Sequence, residues 1–398
     1  MKVCAINSVV YGSTGNIMLQ IADLARKEGI ETYTFSMKWR NQIKKNNEHC
    51  YFGNFLENAG SIKLGKYTGL NGCFAVGGTI SLLKKFDEIK PDIIHLHNLH
   101  NCYINLPMLF HYIKKKHIRV IWTLHDCWAF TGQCPHFTMI KCEKWKTGCY
   151  HCPQYRMYPS AIVDRTEKMW KLKRKWFTNI ENLLIITPSE WLAKMVKKSF
   201  LKEYPVKVVN NGIDTDVFKP TQNNFREKNN IHKRYIVLGV AFGWDKRKGL
   251  DIFIKLSEEL PDNYQIVLVG IDEKKAQELP VKILTVEKTH NQKELAEIYS
   301  ASDIFVNPTR EDNFPTVNLE ALACGTPVVT FNTGGAPECI NSKTGSVVEC
   351  DDVERIAAEI VRICREKPYA RDECAKQGRK YDKRLKFKEY INIYKGSF

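Results

Sequence analysis

Short apolar runs alternate with amphipathic segments along the whole chain. The apolar runs predict buried strands in two groups, at 3–10, 93–96, 120–124 and 183–186, and at 235–241, 265–269, 304–306 and 327–330. Segments with helical periodicity lie at 17–27, 191–200, 250–260, 293–300, 316–324 and 353–365. Strands that alternate with helices predict an α/β fold, with parallel sheets that are covered by helices.

The length and a polar break in this pattern predict two domains. A chain of 398 residues suits two domains of ordinary size. The segment 210–233 is polar, contains Pro220 and has no clear period, which favours a linker. We therefore predict an N-terminal Rossmann-like domain at 1–205, a linker at 206–233 and a second domain at 234–382. The remaining segment, 383–398, is expected to form a helix that could pack back on the first domain.

Basic residues are concentrated in the first half of the chain. Residues 1–205 contain 30 Lys and Arg against 15 Asp and Glu, whereas residues 206–398 contain 30 against 29. This asymmetry predicts that the first half contacts something anionic, such as a membrane surface, a phosphorylated acceptor or nucleic acid. The alternative is an ordinary lysine-rich solvated surface.

Neither a membrane span nor a secretion signal is apparent in the sequence. No apolar run approaches the roughly 18 residues that a membrane helix needs. The first 16 residues contain a short apolar run that ends in a Gly/Ser/Thr loop, whereas a signal peptide needs a longer apolar core. We expect a cytoplasmic protein, in which the 14 cysteines would be reduced rather than paired in a disulfide framework.

Candidate phosphate-binding groups follow the predicted strand at 304–306. A polar loop leads into a helix that Asn313 could cap, with Pro315 and Thr316 among its first residues. The start of a helix offers unpaired N–H groups and the positive end of the helix dipole, and both favour a phosphate. In a second loop, at 239–251, Arg247 and Lys248 place two cations where a diphosphate could bind.

Two carboxylates flank the start of the same helix. Glu320 lies further along it and could accept hydrogen bonds from two ribose hydroxyls. Asp312 precedes the predicted cap and could hold hydroxyls of a sugar. Cations for a diphosphate and carboxylates for hydroxyls together indicate a nucleotide-sugar site at the ends of these strands.

These residues resemble the signature of a large family of GT-B glycosyltransferases, family four, which includes bacterial mannosyl- and glucosyltransferases of polysaccharide synthesis. The signature has two acids separated by seven residues, followed by Ala-x-Ala-Cys-Gly-x-Pro-Val. Asp312 and Glu320 have this separation, and the sequence from Glu320 onwards reads Glu-Ala-Leu-Ala-Cys-Gly-Thr-Pro-Val. The first acid is usually Glu, so the sugar-contacting role is open between Glu311 and Asp312.

The resemblance extends over most of the chain, through segments 91–97, 123–126, 187–191 and 211–220. It implies that His125, which directly follows a predicted strand, contacts the donor sugar, and that His125 and Asp312 are the catalytic residues. His95 and His97 share one face of a strand and are weaker candidates. The implied donor-binding residues are Arg247, Lys248, Glu311, Asn313, Phe314, Pro315, Thr316 and Glu320.

Two features of the resemblance concern the phosphates. Lys248-Gly249 matches a Lys-Gly pair that binds the donor diphosphate, but Phe242 stands where relatives often have an Arg, which Arg247 could replace. The loop with Gly12 and Gly15 resembles a loop whose backbone approaches the donor phosphate or the acceptor. From the residues alone it could equally be a simple turn.

The resemblance implies two Rossmann-like, doubly wound domains that face each other across a cleft. It also implies transfer of a sugar from a nucleotide diphosphate sugar to a hydroxyl of a glycan or lipid-linked acceptor, with retention of configuration and without a catalytic metal. We expect the protein in the cytoplasm, where it could bind peripherally to the inner face of the membrane. The alternatives are a nucleotide-sugar 2-epimerase on the same fold and a non-catalytic nucleic-acid-binding protein. The sequence disfavours the latter, because it contains no aromatic-interleaved basic motif of a recognised nucleic-acid module.

A cysteine-rich insertion is predicted at about 127–155. Cys134, Cys142, Cys149 and Cys152 lie in a loop-like segment and end in a Cys-x-x-Cys pair. Four thiolates could form a tetrahedral structural zinc site. The alternatives are free thiols and a redox pair.

Overall fold

The computed structural model describes residues 1–38, 48–232 and 234–396. The chain divides into two compact units, unit 1 with Met1–Asn210 and Phe387–Phe398, and unit 2 with Asn211–Lys386. Residue 233 of the predicted linker and residues 397 and 398 of the predicted terminal helix lie outside the described residues. Among these residues, no helix combines the length and the apolar character needed to cross a membrane.

Unit 1 contains a sheet of seven parallel strands in the order β3-β2-β1-β4-β5-β6-β7. The strands are β1 Lys2–Ile6, β2 Glu31–Met37, β3 His49–Phe52, β4 Ile93–Leu96, β5 Arg119–Thr123, β6 Leu183–Thr187 and β7 Val206–Val208. The helices are α1 Gly12–Lys27, α2 Phe55–Thr68, α3 Val76–Ile89, α4 Leu106–Lys116, α5 Thr166–Phe177 and α6 Glu190–Lys197. Two 3-10 helices, Trp128–Phe130 and Lys144–Lys146, lie in the cysteine-rich segment.

Unit 2 contains a sheet of six parallel strands in the order β10-β9-β8-β11-β12-β13. The strands are β8 Tyr235–Val240, β9 Tyr264–Val269, β10 Ile283–Val286, β11 Ile304–Asn307, β12 Val328–Phe331 and β13 Gly345–Val348. The helices are α7 Phe225–Lys228, α8 Leu250–Glu259, α9 Glu273–Ala276, α10 Gln292–Ala301, α11 Thr316–Ala323, α12 Val353–Glu366 and α13 Arg371–Arg379, with a 3-10 helix at Ala336–Cys339. The last helix is α14 Lys383–Tyr394, whose residues from Phe387 onwards belong to unit 1.

Both sheets bury side chains on their two faces. In β5, Val120 and Trp122 join one apolar cluster and Ile121 joins another. In β8, Leu238 and Val237 are divided in the same way between two clusters. Successive side chains of a strand point to opposite faces, so each sheet is covered on both sides and the predicted doubly wound α/β class is confirmed.

The strand order reverses once in each sheet, and these reversals locate the candidate sites. In unit 1 the chain passes from β1 outwards to β3 and returns at β4, next to β1; in unit 2 it passes from β8 to β10 and returns at β11. Ligands of doubly wound sheets bind at the carboxyl ends of the two strands that flank such a reversal. The loops after β1, β4, β8 and β11 are therefore the places to look for function.

Several sequence predictions differ from the structure at their boundaries. The first strand ends at Ile6, not at residue 10. The segment predicted as a linker, 206–233, begins with β7, which pairs with β6 in the first sheet. The isolated bridge between Ile213 and Asp382 also gives part of that segment an ordered place in unit 2.

Candidate functional site

An ion pair joins the two loops at the reversal point of the second sheet. Lys248, in the loop after β8, places its Nζ 2.6 Å from Oδ2 of Asp312, in the loop after β11. Both side chains are about four-fifths buried, at 19% and 20% exposure. The backbone N–H of Lys248 also donates to Asp245 Oδ1 over 2.9 Å, which fixes the turn that presents it. The structure thus brings together two residues that are 64 positions apart in the sequence.

Arg247 connects the same two loops through backbone groups. Its Nη1 donates to the carbonyl oxygen of Glu311 over 3.2 Å, and its own carbonyl accepts from the Arg310 N–H over 2.9 Å. Arg247 and Lys248 therefore lie side by side, one against Glu311 and one against Asp312. Both predicted cations are at the edge where a ligand of this sheet would bind.

Arg310, which the sequence analysis did not identify, holds these loops in place. Its guanidinium is 6% exposed and makes a bidentate pair with Asp251, with both N···O distances at 2.8 Å. It also donates to Asp351 over 2.7 Å and to the Lys246 carbonyl. The hydrogen bonds of Asp251 are the largest cause of a raised Arg310 pKa. A permanently charged fork of this kind fixes geometry as well as charge.

Helix α11 begins differently from the prediction. Pro315, not Asn313, occupies the cap position, and the Pro315 side chain makes no capping hydrogen bond. Phe314 is 3% exposed and packs against Tyr381 with ring centroids 5.7 Å apart, so its side chain belongs to the core of unit 2. The predicted cap position at Asn313 is therefore wrong, and Phe314 can offer a ligand little more than its backbone. Thr316 is the first residue of the helix, whose first N–H groups have no partner within the helix.

Glu320 is held by hydroxyls rather than by cations. Tyr299 donates its phenol hydrogen to Glu320 Oε2 over 3.2 Å. Burial raises the pKa of Glu320 to about 7, although hydrogen bonds from Tyr299 and Thr316 lower it. Its charge therefore changes near neutral pH, which is unusual for a carboxyl group and typical of functional sites.

Two glycines allow the loops of this site to approach closely. Gly249 has a φ of 79°, and a Cβ there would lie 2.4 Å from the Pro308 carbonyl oxygen. Gly334 has a φ of 56°, and a Cβ there would lie 1.8 Å from the carbonyl oxygen of Asp312. Neither position could accept another residue without moving the backbone. The sequence analysis included Gly249 through the Lys-Gly pair but missed Gly334.

In unit 1, His125 is part of a chain of imidazoles. Its Nε2 lies 3.0 Å from Nδ1 of His97, and the His97 ring lies with its centroid 4.2 Å from that of His95. His95 bonds in turn to the Tyr394 hydroxyl of α14 over 2.6 Å. Burial lowers the pKa of His125 to about 4, so His125 is neutral at pH 7. His125 therefore contacts residues of unit 1, whereas Lys248 and Asp312 both belong to unit 2.

The glycines of the first loop have different environments. Gly12 has a φ of 69° and open space where a Cβ would lie. Gly15 packs on its own loop, because a Cβ there would lie 2.6 Å from the carbonyl carbon of Val10. Gly15 therefore allows close contact with the backbone of its own loop, whereas Gly12 leaves open space beside the end of β1.

The four cysteines of the predicted zinc site do not form a metal-binding geometry. Within 1–38, 48–232 and 234–396, no group of three or more His, Cys, Asp or Glu side chains is arranged to hold a metal ion. Cys149 accepts a hydrogen bond from the Gly132 N–H over 3.1 Å, and burial raises the pKa of its thiol to about 11. Burial also raises the pKa values of Cys134 and Cys152, while Cys142 packs against the apolar core of unit 1. These residues are free cysteines, and the expected zinc site is not supported.

Two family models cover most of the chain. The model described as Glycosyltransferase Family 4 matches residues 15–217, just over half of the chain, and the model described as Glycosyl transferases group 1 matches residues 221–381. A curated relative, the putative colanic acid biosynthesis glycosyl transferase WcaC of Escherichia coli, is 27% identical over 272 residues. That match covers 66% of this chain and 65% of the length of the relative. A D-inositol 3-phosphate glycosyltransferase of Corynebacterium jeikeium is 28% identical over 43% of this chain and 46% of its own length.

Solved structures share the whole architecture. The sucrose-phosphate synthase of Thermosynechococcus elongatus has a TM-score of 0.75 at 16% identity, covering 99% of this chain and 98% of its own. The Anabaena protein HepE, solved in complex with UDP-glucose, has a TM-score of 0.68 at 14% identity over the full length of both chains. With two doubly wound parallel sheets and both family models in sequence, the fold is GT-B, and the chain belongs to glycosyltransferase family 4.

Proposed function

We propose that this protein transfers a sugar from a nucleotide diphosphate sugar to a hydroxyl of a glycan or lipid-linked acceptor, in cell-surface polysaccharide synthesis. The observation that carries the proposal is the Lys248–Asp312 pair at the reversal point of the second sheet. A cation that is already oriented there suits a diphosphate, and a carboxylate beside it suits sugar hydroxyls. The structural neighbour HepE has been solved in complex with UDP and with UDP-glucose, and this supports a nucleotide-sugar donor.

The proposed chemistry places positive charge on the leaving group. As the bond from the sugar to the diphosphate breaks, negative charge grows on the diphosphate and positive charge on the sugar ring. Lys248, Arg247 and the first N–H groups of α11 would stabilise the diphosphate. Asp312 would hold sugar hydroxyls, and Glu320 would accept hydrogen bonds from the ribose. We propose that no divalent metal is needed, because these groups supply the charge.

His125 would contact the donor sugar as a neutral hydrogen-bonding group. Its lowered pKa keeps an uncharged ring at physiological pH. The ring can then donate from one nitrogen and accept at the other. Retention of configuration belongs to the proposal through the family resemblance, with the leaving phosphate as the group that receives the proton of the acceptor.

The basic first half is proposed to meet the acceptor at an anionic membrane surface. Each Lys or Arg near such a surface contributes about 1 kcal/mol of attraction. Co-sedimentation with liposomes should therefore increase when anionic lipid is included, and fall with added salt. Equal binding to neutral and anionic liposomes would remove the membrane from the proposal and leave the transfer reaction untouched.

A thermal-shift screen of nucleotide sugars tests the donor. A ligand at one hundred times its dissociation constant should stabilise the protein by about 2.7 kcal/mol. Lys248→Ala and Asp312→Asn should each keep the fold and lose roughly a hundredfold in transfer rate, the usual effect of removing one transition-state contact. Lys246→Ala is the matched control, because Lys246 is exposed in the same loop. Normal turnover in both site variants would disprove the assignment.

The alternative on the same fold is a nucleotide-sugar 2-epimerase. It would convert the donor without any acceptor. Incubation of the protein with the donor selected in the screen, followed by analysis of the products, separates the two reactions. An epimeric sugar formed without an acceptor would favour the alternative, whereas turnover that depends on an added hydroxyl compound supports transfer.

A further inference from the structure

A second hydrogen-bonded chain lies beside His125 in unit 1 and has no part in the proposed donor site. His100, in the loop after β4, places Nε2 3.2 Å from Oδ2 of Asp126, the residue that follows His125. Its other ring nitrogen, Nδ1, lies 2.9 Å from the hydroxyl of Tyr158. The His100 and Asp126 side chains are 8% and 15% exposed. An acid, an imidazole and a hydroxyl are thus joined in one line.

Each end of this chain is held by a hydrogen bond. Burial opposes ionisation of Asp126, but hydrogen bonds from His100 and the Trp128 N–H, together with the neighbouring His100 and His136, outweigh it, and the net pKa of the carboxyl is lowered. Because a carboxylate only accepts hydrogen bonds, His100 must carry a hydrogen on Nε2. At the other end, the Tyr158 oxygen lies 2.9 Å from His100 Nδ1, and the Tyr158 hydroxyl donates its hydrogen to Asn101 Oδ1.

This arrangement leaves acceptor capacity on the oxygen of Tyr158. The phenol hydrogen is donated to Asn101 Oδ1 over 2.5 Å, so a lone pair of the phenol oxygen that His100 does not engage can accept a hydrogen from another hydroxyl. The Tyr158 ring itself is 54% exposed, while burial of its hydroxyl end raises the pKa of the phenol.

The backbone on both sides of the chain is held firmly. Asn101 and Cys102 have φ values of 80° and 56°, so two consecutive residues other than glycine adopt the left-handed conformation. Such backbone is costly and is concentrated at functional sites. The loop that presents Tyr158 is fixed by Gln133, whose Nε2 donates to the carbonyls of Tyr155 and Pro159.

A small cavity connects this chain to His125. Its volume is about 10 Å³, close to the space of one water molecule, and its lining includes His97, His100, His125, Asp126 and Trp128. Two buried atoms in this lining, His97 Nε2 and Trp128 Nε1, have no hydrogen-bond partner among the described residues. The cavity therefore offers polar partners to a bound hydroxyl or water between the two chains.

We propose that Tyr158 is an acceptor-binding residue and that His100 and Asp126 are positioning residues that orient its hydroxyl. The exposed ring forms an aromatic surface for an acceptor sugar, and the phenol oxygen accepts a hydrogen bond from an acceptor hydroxyl. That hydrogen bond comes from an acceptor hydroxyl that does not react, so the reacting hydroxyl is free to pass its proton to the leaving phosphate as its oxygen bonds to the sugar. This inference rests on the proposed transfer function and adds the site for the acceptor.

The test compares Tyr158→Phe, which removes only the hydroxyl, with Tyr150→Phe, an exposed tyrosine of the cysteine-rich segment. The donor is the nucleotide sugar selected by the thermal-shift screen. Octyl glucoside, octyl galactoside and octyl mannoside are the hydroxyl probes, and both glycoside formation and suppression of donor hydrolysis are measured. We expect Tyr158→Phe to lower kcat/KM for the glycoside, or raise the concentration that suppresses hydrolysis, by about tenfold, the effect of one lost hydrogen bond. Donor hydrolysis without glycoside and the donor-induced thermal shift should stay unchanged.

The second arm tests the positioning role. His100→Gln should cause a loss similar to that of Tyr158→Phe, and the double variant should lose little more, because the two residues act as one unit. Additive losses, or a Tyr158→Phe variant that matches wild type, would overturn the inference. So would a wild-type protein that neither glycosylates the probes nor is inhibited by them. If no nucleotide sugar is bound or hydrolysed at all, the proposed function fails first, and that outcome is distinct from the others.

Discussion

The two reversal points of this protein hold their functional groups by opposite means. In unit 2, Lys248 with Asp312 and Arg310 with Asp251 are pairs of opposite charge at 2.6 to 2.8 Å. In unit 1, the neutral rings of His95, His97 and His125 are linked to one another and to hydroxyls. The same sheet topology therefore supports one site made of balanced charges and another made of buried uncharged donors and acceptors.

The difference fits the parts of the proposed reaction. A diphosphate carries negative charge and gains more as the sugar leaves, so cations are useful near it. Hydroxyls of sugars carry no charge and are recognised by groups that both donate and accept, as neutral imidazoles do. Each unit would thus be specialised for one half of the reaction. Variants that alter the charge pairs of unit 2 or the neutral histidines of unit 1 should show which half of the reaction each unit serves.

A lower pH should produce the largest difference in stability between the two units. Burial lowers the pKa of His95 to about 3, that of His125 to about 4 and that of His97 well below its usual value. Groups with lowered pKa values stabilise the fold above pH 6.5, and this contribution is lost as the pH falls towards the folded values. We expect unit 1 to lose on the order of 5 kcal/mol between pH 6.5 and 4.5. Hydrogen exchange resolved by peptide, corrected for intrinsic rates, should show opening of unit 1 before unit 2.

Two substitutions serve as controls for the acid effect. His95→Gln keeps hydrogen-bonding positions without taking up a proton, and should remove about a third of the pH dependence. His117→Gln changes an exposed residue, at 67% exposure, and should leave the pH dependence unaltered. Equal opening of both units on acidification would show that the buried histidines do not control the stability of unit 1.

Removal of Arg310 should have the next largest effect, within unit 2. Arg310→Ala leaves Asp251 without its bidentate partner and frees the loops that carry Arg247 and Lys248. Because Asp251 and Asp351 are partly exposed, at 39% and 56%, we expect a loss of about 2–4 kcal/mol rather than the full cost of a buried charge. Urea unfolding measures this loss. Lys282→Ala, which removes an exposed pair with Asp262, should leave the urea midpoint unchanged.

The central strands of each sheet could be predicted from the sequence, but several outer ones could not. The central strands are buried on both faces, and their sequences form nearly continuous apolar runs; these strands are β1, β4, β5, β8 and β9. The edge strands β3, β7, β10 and β13 pair on one side only and are short and mixed in composition. Among them, β13 reads Gly-Ser-Val-Val, which local pattern alone does not distinguish from a turn.

The candidate site shows a similar limit. The pair of Lys248 and Asp312 could be anticipated because both residues lie in loops that follow predicted strands and match a family signature. Arg310 could not, because an arginine in a polar loop is usually solvated. Its partners Asp251 and Asp351 lie 59 and 41 positions away, so its burial depends on the folded arrangement of the start of α8 and two loops. The hydrogen bonds of Tyr158 were missed for the same reason.

Glu320 allows a finer test, since its carboxyl is buried and accepts a hydrogen bond from the Tyr299 hydroxyl. Its raised pKa means that its contribution to stability is present at pH values below 4.5 and is lost as the pH rises through about 7. Glu320→Gln cannot ionise, so it should match wild type at pH 5 and exceed it by about 1–3 kcal/mol at pH 8. Thermal unfolding without donor at the two pH values measures this difference. Nucleotide affinity at pH 8 should fall in the same variant if the carboxylate holds the ribose.

Leu319→Val is the structural control for this comparison, because Leu319 is a buried neighbour that cannot titrate. It should destabilise the protein by about 1 kcal/mol equally at both pH values. A Glu320→Gln variant whose stability relative to wild type is also the same at pH 5 and pH 8 would mean that the carboxyl is already charged at pH 5.

The smallest expected effect comes from adding a charge to unit 2. Phe242 is fully exposed in the loop after β8. Phe242→Arg should change stability by less than about 0.5 kcal/mol, because the side chain contacts little. It should tighten nucleotide-sugar binding about two- to fivefold, as measured by titration calorimetry, and the gain should fall with added salt because exposed charges are screened. Val281→Arg adds the same charge at another fully exposed position of unit 2. An equal gain in that control would assign the effect to net charge, whereas a gain confined to Phe242→Arg would place the diphosphate beside the loop of Lys248.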